Sequence, residues 1–384
     1  MQQRCGKGAA YFVVRPNSAA HGPAARLAAV ALRPWPRRRL LAMLAACLVI
    51  MSGVPASSTG TAFADSTAFA DSTAAHARGG DLYVLCTNSV SVVDSASGQV
   101  LRSIALYNPP GELPAPVATG LVVQAGDHRA LVATAAAGLE TVDLHEGKVV
   151  SVNPAVDNAY GISPGARGLA AFVLQASGVE GTPVVVPIGV TGKRLRAVPL
   201  ANVGENVQAI TTSPDGEDVY ALLFQGLLVR VHVRTLRVGA RFRVPGPAND
   251  VAISPDGQFA YVTVGRPSGL VKVKVGDGAV SRMSTFGADP YHIVVTPDGH
   301  RAYVSDGGRV FPVDLATGKV GAPISLGPSV PEMPGGPLVI SADGKVVYAA
   351  NPGAGTVTPI EISTDKTGRT LSVRCGIRAL AVGP

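Results

Sequence analysis

Ser213-Pro214-Asp215-Gly216, Ser254-Pro255-Asp256-Gly257, Thr296-Pro297-Asp298-Gly299 and Ser341-Ala342-Asp343-Gly344 place one tetrapeptide four times at near-constant spacing in the C-terminal part of the 384-residue chain. Seven residues after the start of each copy stands a tyrosine: Tyr220, Tyr261, Tyr303 and Tyr348. A fixed register over a period of about 42 residues is the mark of a repeat architecture, in which one supersecondary unit cannot bury its apolar face alone. Proline presets the second position of a type I turn, the aspartate accepts backbone N–H groups, and the glycine takes the left-handed conformation that reconnects a hairpin.

Between the turns run short segments rich in Val, Ile, Leu, Tyr and Thr, such as Phe259–Val264 and Leu270–Val275. Segments of this length bounded by Gly, Pro and Asp read as antiparallel strands. A second turn, Asp94–Gly98 and Asp314–Gly318, falls between the third and fourth strand of a unit. Four strands per unit repeated radially predict an all-β, seven-bladed β-propeller over residues 80–384. Degenerate turns at Gln124–Asp127 and Ser163–Ala166 supply two further blades. The seventh is split: Leu380–Pro384 matches the strand entering the turn and Asp81–Val84 the strand leaving it, so the C-terminal strand joins the N-terminal blade and closes the ring.

The formal charge of +7 is a property of the leader. Residues 1–64 hold eight basic side chains and no acidic one, which leaves 25 basic against 26 acidic residues in the remainder, a net of −1. No nucleic-acid partner is expected on that basis. The order of parts in the leader is that of an export signal with an N-terminal extension: Arg37–Arg39, an apolar run Leu40–Val54, then Ala62-Phe63-Ala64. Cleavage is expected after Ala64, a flexible linker over 65–79, and no stable transmembrane span once the signal is removed, because the run is too short. Arg37-Arg38-Arg39-Leu40-Leu41 also fits a twin-arginine signal and Leu44–Cys47 a lipobox, although the apolar run continues past Cys47. The setting implied is secreted or extracytoplasmic, cell-surface association included, and the protein is expected to be a monomer.

Tyr83–Leu106, Ile253–Val264 and Val295–Asp306 resemble the YVTN-repeat β-propellers of bacterial surface and secreted proteins, most clearly from residue 205 onward. The resemblance implies seven blades and an extracytoplasmic setting. It leaves activity open, since related propellers include lactonases, lyases and redox subunits. Two cysteines, Cys86 and Cys375, lie outside the leader; an oxidised pair is expected, with a three-residue register offset to absorb, because Cys86 counts out opposite Arg378.

Metalloprotease, haem, EF-hand and P-loop signatures are absent from the sequence. Gly161-Ile162-Ser163-Pro164-Gly165 reads formally as a nucleophile elbow, but Ser163 occupies a hairpin-turn position. The segments entering the innermost strands converge on one mouth of the channel, and there the candidate ligand site comprises Glu205, Asn249, Asp250, His292 and Arg378, with Asn158, Asn206, Gln208, Asp289 and Glu332 nearby. His292 and Asp250 are register equivalents on adjacent blades. The function expected is a binding or interaction scaffold for a surface protein, a glycan or a small carboxylate or lactone; the alternative is a lactonase-like hydrolase or lyase at the same mouth. No cofactor is expected, a divalent metal at the mouth being the one alternative.

Overall fold

In the SPDG turns the serine carries two jobs: the Ser213 hydroxyl donates to Asp215 Oδ1 at 2.6 Å and accepts the Asp218 N–H at 3.0 Å. Ser254, Thr296 and Ser341 make the same pair of bonds, and Gly216, Gly257, Gly299 and Gly344 all have φ near +70°. Each turn therefore forces the chain back antiparallel. The hydroxyl of Ser254 is the main reason the Asp256 carboxyl lies below its ordinary range. Asp94, Asp143 and Asp314 cap the second class of turn, accepting two backbone N–H groups each through one oxygen.

The computed structural model describes residues 80–383 apart from 108–117, 125, 127, 136, 177–180, 201–205, 287–288 and 329–333. The signal, its cleavage position at Ala64 and the linker lie outside the described residues. Blade I contains β1 (Leu82–Leu85), β2 (Ser89–Val93) and β3 (Val100–Ala105). Blade II is β4 (Ala118–Val123), β5 (Arg129–Thr134), β6 (Gly138–Asp143) and β7 (Lys148–Asn153); blade III is β8 (Ala159–Pro164), β9 (Leu169–Gln175), β10 (Val184–Gly189) and β11 (Val198–Pro199). Blade IV is β12 (Val207–Thr212), β13 (Asp218–Leu223), β14 (Leu227–His232) and β15 (Arg237–Arg243); blade V is β16 (Ala248–Ile253), β17 (Phe259–Gly265), β18 (Ser268–Lys274) and β19 (Val280–Ser284). Blade VI is β20 (Ile293–Val295), β21 (Arg301–Asp306), β22 (Arg309–Asp314) and β23 (Ile324–Ser325); blade VII is β24 (Leu338–Ile340), β25 (Val346–Asn351), β26 (Thr356–Glu361) and β27 (Leu371–Ser372). β28 (Ala379–Val382) pairs antiparallel with β1, Leu82 opposite Val382 and Leu85 opposite Ala379, and completes blade I.

The result is seven four-stranded antiparallel sheets. Their first strands touch in the closed cycle β28, β4, β8, β12, β16, β20, β24 and back to β28. Closing the ring leaves no inner edge exposed. The core lies between blades: Tyr220, Tyr261 and Tyr303, at most 3% exposed, pack against the next sheet, as the repeat requires. Leu131 and Phe172 take that position in blades II and III, whose turns are degenerate.

Cys86 and Cys375 form a disulfide with Cα atoms 5.7 Å apart. Cys86 directly follows β1, and Arg378 stands opposite it, its N–H donating to Leu85 O at 2.7 Å. The three-residue offset is taken up by a bend in which Arg374 has φ +58° and Ile377 is buried.

Glu140 on β6 is fully buried in the blade I/II interface; its Oε2 accepts the Tyr107 N–H at 2.8 Å, and Oε1 has no partner among the described residues. Burial pushes its carboxyl up to about 6, against the opposing pull of that amide bond. The folded state thus holds this proton more tightly than the unfolded chain. The associated stability is complete below the unfolded value and lost as pH rises through about 6. At 1.36 kcal/mol per pKa unit the effect is about 2 kcal/mol. Glu140→Gln is expected to raise the denaturation midpoint at pH 7.5 and leave it unchanged at pH 4; equal midpoints at pH 7.5 would contradict this.

Candidate functional site

The first strands of blades II to V share an irregularity. Pairing slips between Ala118 and Gly120, Ala159 and Gly161, Val207 and Ala209, and Ala248 and Asp250. A bulge of this kind leaves one residue unpaired and re-aims its side chain. The residues released are Thr119, Tyr160, Gln208 and Asn249, and all four line a cavity of about 560 Å³ at the channel mouth. In blades VI and I the same register position is filled by Tyr291 and Arg378, which line it as well. In blade VII it falls on Gly336, where a Cβ would meet Ala350 O at 2.1 Å.

One step further along each strand lies a second ring: Ala379, Gly120, Gly161, Ala209, Asp250, His292 and Pro337. Five of these have no polar side-chain atom. Asp250 and His292 are the two that do, and they face one another across the blade V/VI boundary: His292 Nδ1 lies 3.2 Å from Asp250 Oδ2. The carboxylate is held by backbone, with Ile293 N–H on Oδ2 at 3.1 Å and Val251 N–H on Oδ1 at 2.8 Å. A carboxylate beside Nδ1 puts the imidazole proton there, which leaves Nε2 as the free nitrogen.

The strand behind the dyad fixes its backbone. Thr263 Oγ1 accepts the Asp250 N–H at 3.0 Å and donates to Tyr291 O at 2.7 Å, while Ser305 Oγ accepts the His292 N–H at 3.2 Å. Thr263 and Ser305 are fully buried and hold the same place in β17 and β21, two residues after the repeat tyrosine. Asn249 is anchored through Nδ2 to Pro290 O at 2.8 Å. The Tyr291 ring meets His292 edge-on at 5.0 Å. Burial raises the Tyr291 phenol above its usual range, with Asp250 adding to it and a hydrogen bond to Gln208 opposing.

Four of the five candidates read from sequence, Asn249, Asp250, His292 and Arg378, come together in this cavity. Glu205 lies outside the described residues, as does Glu332. Asn158, Asn206 and Asp289 are not part of the lining. Thr119, Tyr160 and Tyr291 were missed: a bulge leaves no sequence signature here, and only the adjacency of Tyr291 to His292 pointed to it. Ser163 hydrogen-bonds Thr212 Oγ1 at 2.6 Å between two inner strands, with no helix following it. Asp250 and His292 supply two metal-type donors, half of a tetrahedral set, and no group of three His, Cys, Asp or Glu gathers among the described residues. Arg378 is exposed and makes no ion pair among the described residues. His232 forms a separate pair with Asp218 at 2.6 Å on the outer side of blade IV, and the His128 and His145 rings lie 6.2 Å apart in neighbouring turns of blade II.

No known protein family matches the sequence, and no curated protein is similar to it. Solved structures share the architecture. Hydrazine synthase of Kuenenia stuttgartiensis has a TM-score of 0.63 at 20% identity, covering 75% of this chain and 94% of that one. A functionally unknown protein from Desulfotomaculum acetoxidans has 0.62 at 15%, covering 79% and 98%. A putative 6-phosphogluconolactonase from Bacteroides uniformis has 0.59 at 16%, covering 79% and 99%. These likenesses establish the β-propeller; the narrower YVTN resemblance rests on the motifs alone.

Proposed function

We propose that the protein is an extracytoplasmic binding propeller whose ligand, a small carboxylate or lactone, sits at the channel mouth. The observation carrying this reading is the second ring, where the only polar side chains are an aspartate-oriented histidine and its partner. Charge supports an anion: among the described residues the lining holds one carboxylate, already engaged by two amides and an imidazole, and Arg378 with no ion-pair partner. Gln208, Asn249, Tyr160 and Tyr291 add donors and flat faces suited to hydroxylated carbon skeletons. The disulfide, the leader and the absence of a membrane-spanning helix among the described residues support export.

Thermal-shift screening against gluconate, glucuronate and gluconolactone tests it. A ligand at a hundredfold excess over Kd adds about 2.7 kcal/mol, a readily visible shift. Arg378→Gln is expected to weaken binding about tenfold or more, the loss of one charge-assisted hydrogen bond. No shift with any member of the panel would count against the reading.

The oriented imidazole favours one second reading. With Nδ1 held by Asp250, Nε2 is placed to take a proton from water attacking a lactone carbonyl. Ring opening of gluconolactone that disappears in His292→Ala would support this hydrolase reading over simple binding.

A further inference from the structure

Two stretches, 184–200 and 219–249, contain Lys193, Arg194, Arg196, Arg230, Arg234, Arg237, Arg241 and Arg243 and no acidic residue. The cations in them lie on the third and fourth strands of adjacent blades III and IV and on the turns joining those strands, and the outermost strands β11 and β15 touch. Chain 65–384 as a whole is close to neutral. The charge is therefore segregated to one side of the ring.

Among the described residues, the carboxylates that directly precede the blade IV stretch are already engaged. Asp218 takes His232 Nδ1 at 2.6 Å and Arg230 Nε at 3.8 Å, and Glu217 pairs with Arg167. Lys193, Arg196, Arg234, Arg237 and Arg243 are exposed and have no carboxylate partner among the described residues. Arg241 donates to Leu200 O at 3.1 Å and so ties the two rims into one surface. Along β15 the arginines run from Arg237 to Arg243, roughly 20 Å at the rise of a strand.

We propose that this rim binds an acidic polysaccharide lying along the outer edge of blades III and IV. Seven of the eight cations are arginine, whose planar fork matches carboxylate and sulfate oxygens in pairs. Single-stranded nucleic acid needs a run of exposed aromatic faces for stacking; Tyr220 and Phe242 are buried, and Phe224 is a single exposed ring. A membrane surface needs an apolar face between the cations. The large apolar residues exposed in these stretches are Val190 and Phe224, two isolated side chains. The rim and the channel mouth are separate surfaces, so both can be occupied at once.

Binding of the purified protein to heparin and to alginate, measured at 50 and 200 mM salt, tests the proposal beside single-stranded DNA and phosphatidylglycerol vesicles. Wild type is expected to bind a polysaccharide more tightly than DNA or vesicles, and to weaken about twentyfold over that salt range for three charge contacts at the single-strand slope of about 0.7 per contact. Arg234→Glu/Arg237→Glu/Arg243→Glu is expected to lose at least tenfold. Lys319→Glu/Lys345→Glu/Lys366→Glu, an equal charge change on blades VI and VII, is expected to stay within twofold. Should the first triple variant fail to fold by circular dichroism, Arg237→Gln/Arg243→Gln is expected to lose at least fivefold. Equal losses in both triple variants, no loss in the rim variants, or tighter binding to DNA or vesicles would overturn it.

Discussion

Replacing Cys86 and Cys375 with serine is expected to lower stability by about 3–5 kcal/mol, the upper part of the range for a native disulfide. The bond spans 289 residues, nearly the whole ring, so its removal releases a very long loop in the unfolded chain. In the folded state it anchors the segment leading into β28, a four-residue strand whose sheet partner is β1. Without it the closing strand depends on that short pairing and on Leu380 and Ile377 packing in the blade I/VII core. Urea unfolding of the double variant, and of wild type with and without reductant, measures the loss. Coincident midpoints would show that strand pairing alone closes the ring.

The second large effect is at Asp250. Asp250→Ala removes the acceptor for Val251 N–H, Ile293 N–H and the His292 ring together. Unsatisfied donors of this kind cost about 1–3 kcal/mol each, so a stability loss of about 2–4 kcal/mol and loss of ligand binding are expected together. Asp250→Asn separates the two roles. An amide oxygen still accepts the Val251 N–H, while Ile293 N–H loses its acceptor at the Oδ2 position, so a stability loss of about 1–3 kcal/mol, below that of Asp250→Ala, is expected. The amide nitrogen beside His292, however, donates where the carboxylate accepted and favours the opposite tautomer. Ligand affinity is then expected to fall at least tenfold, about 1.4 kcal/mol. Unchanged affinity in a folded Asp250→Asn protein would mean that the imidazole is not oriented for a ligand.

The fold was legible because the constraints that make a propeller blade are local. Ser213, Asp215 and Gly216 close one hairpin within six residues, and the copies of that hairpin set the period. The split blade followed from matching the two chain ends to the same register. The dyad was legible for the same reason: His292 and Asp250 each lie four residues before their own turn. The bulges were not. Whether Tyr160 or Asn249 leaves the ladder depends on how seven inner strands crowd around one axis, which no local pattern records. Thr263 and Ser305 read as ordinary strand residues, yet their hydroxyls hold the dyad's backbone. Cys86 and Cys375 were legible as a pair, while the bend at Arg374 that lets them meet was not.

Imidazole-ring NMR of the protein titrated with the best ligand of the sugar-acid and lactone panel tests the channel-mouth site most directly. The described residues include His128, His145, His232, His292 and His300, only one of which lines the cavity. The predicted result is a saturable shift of the His292 ring nitrogens, Nε2 above all, with the other four unmoved and the titration midpoint moved about tenfold or more to higher ligand concentration in Arg378→Gln. Saturable binding that leaves the His292 ring unperturbed, or that moves His232 instead, would contradict a ligand site at the channel mouth.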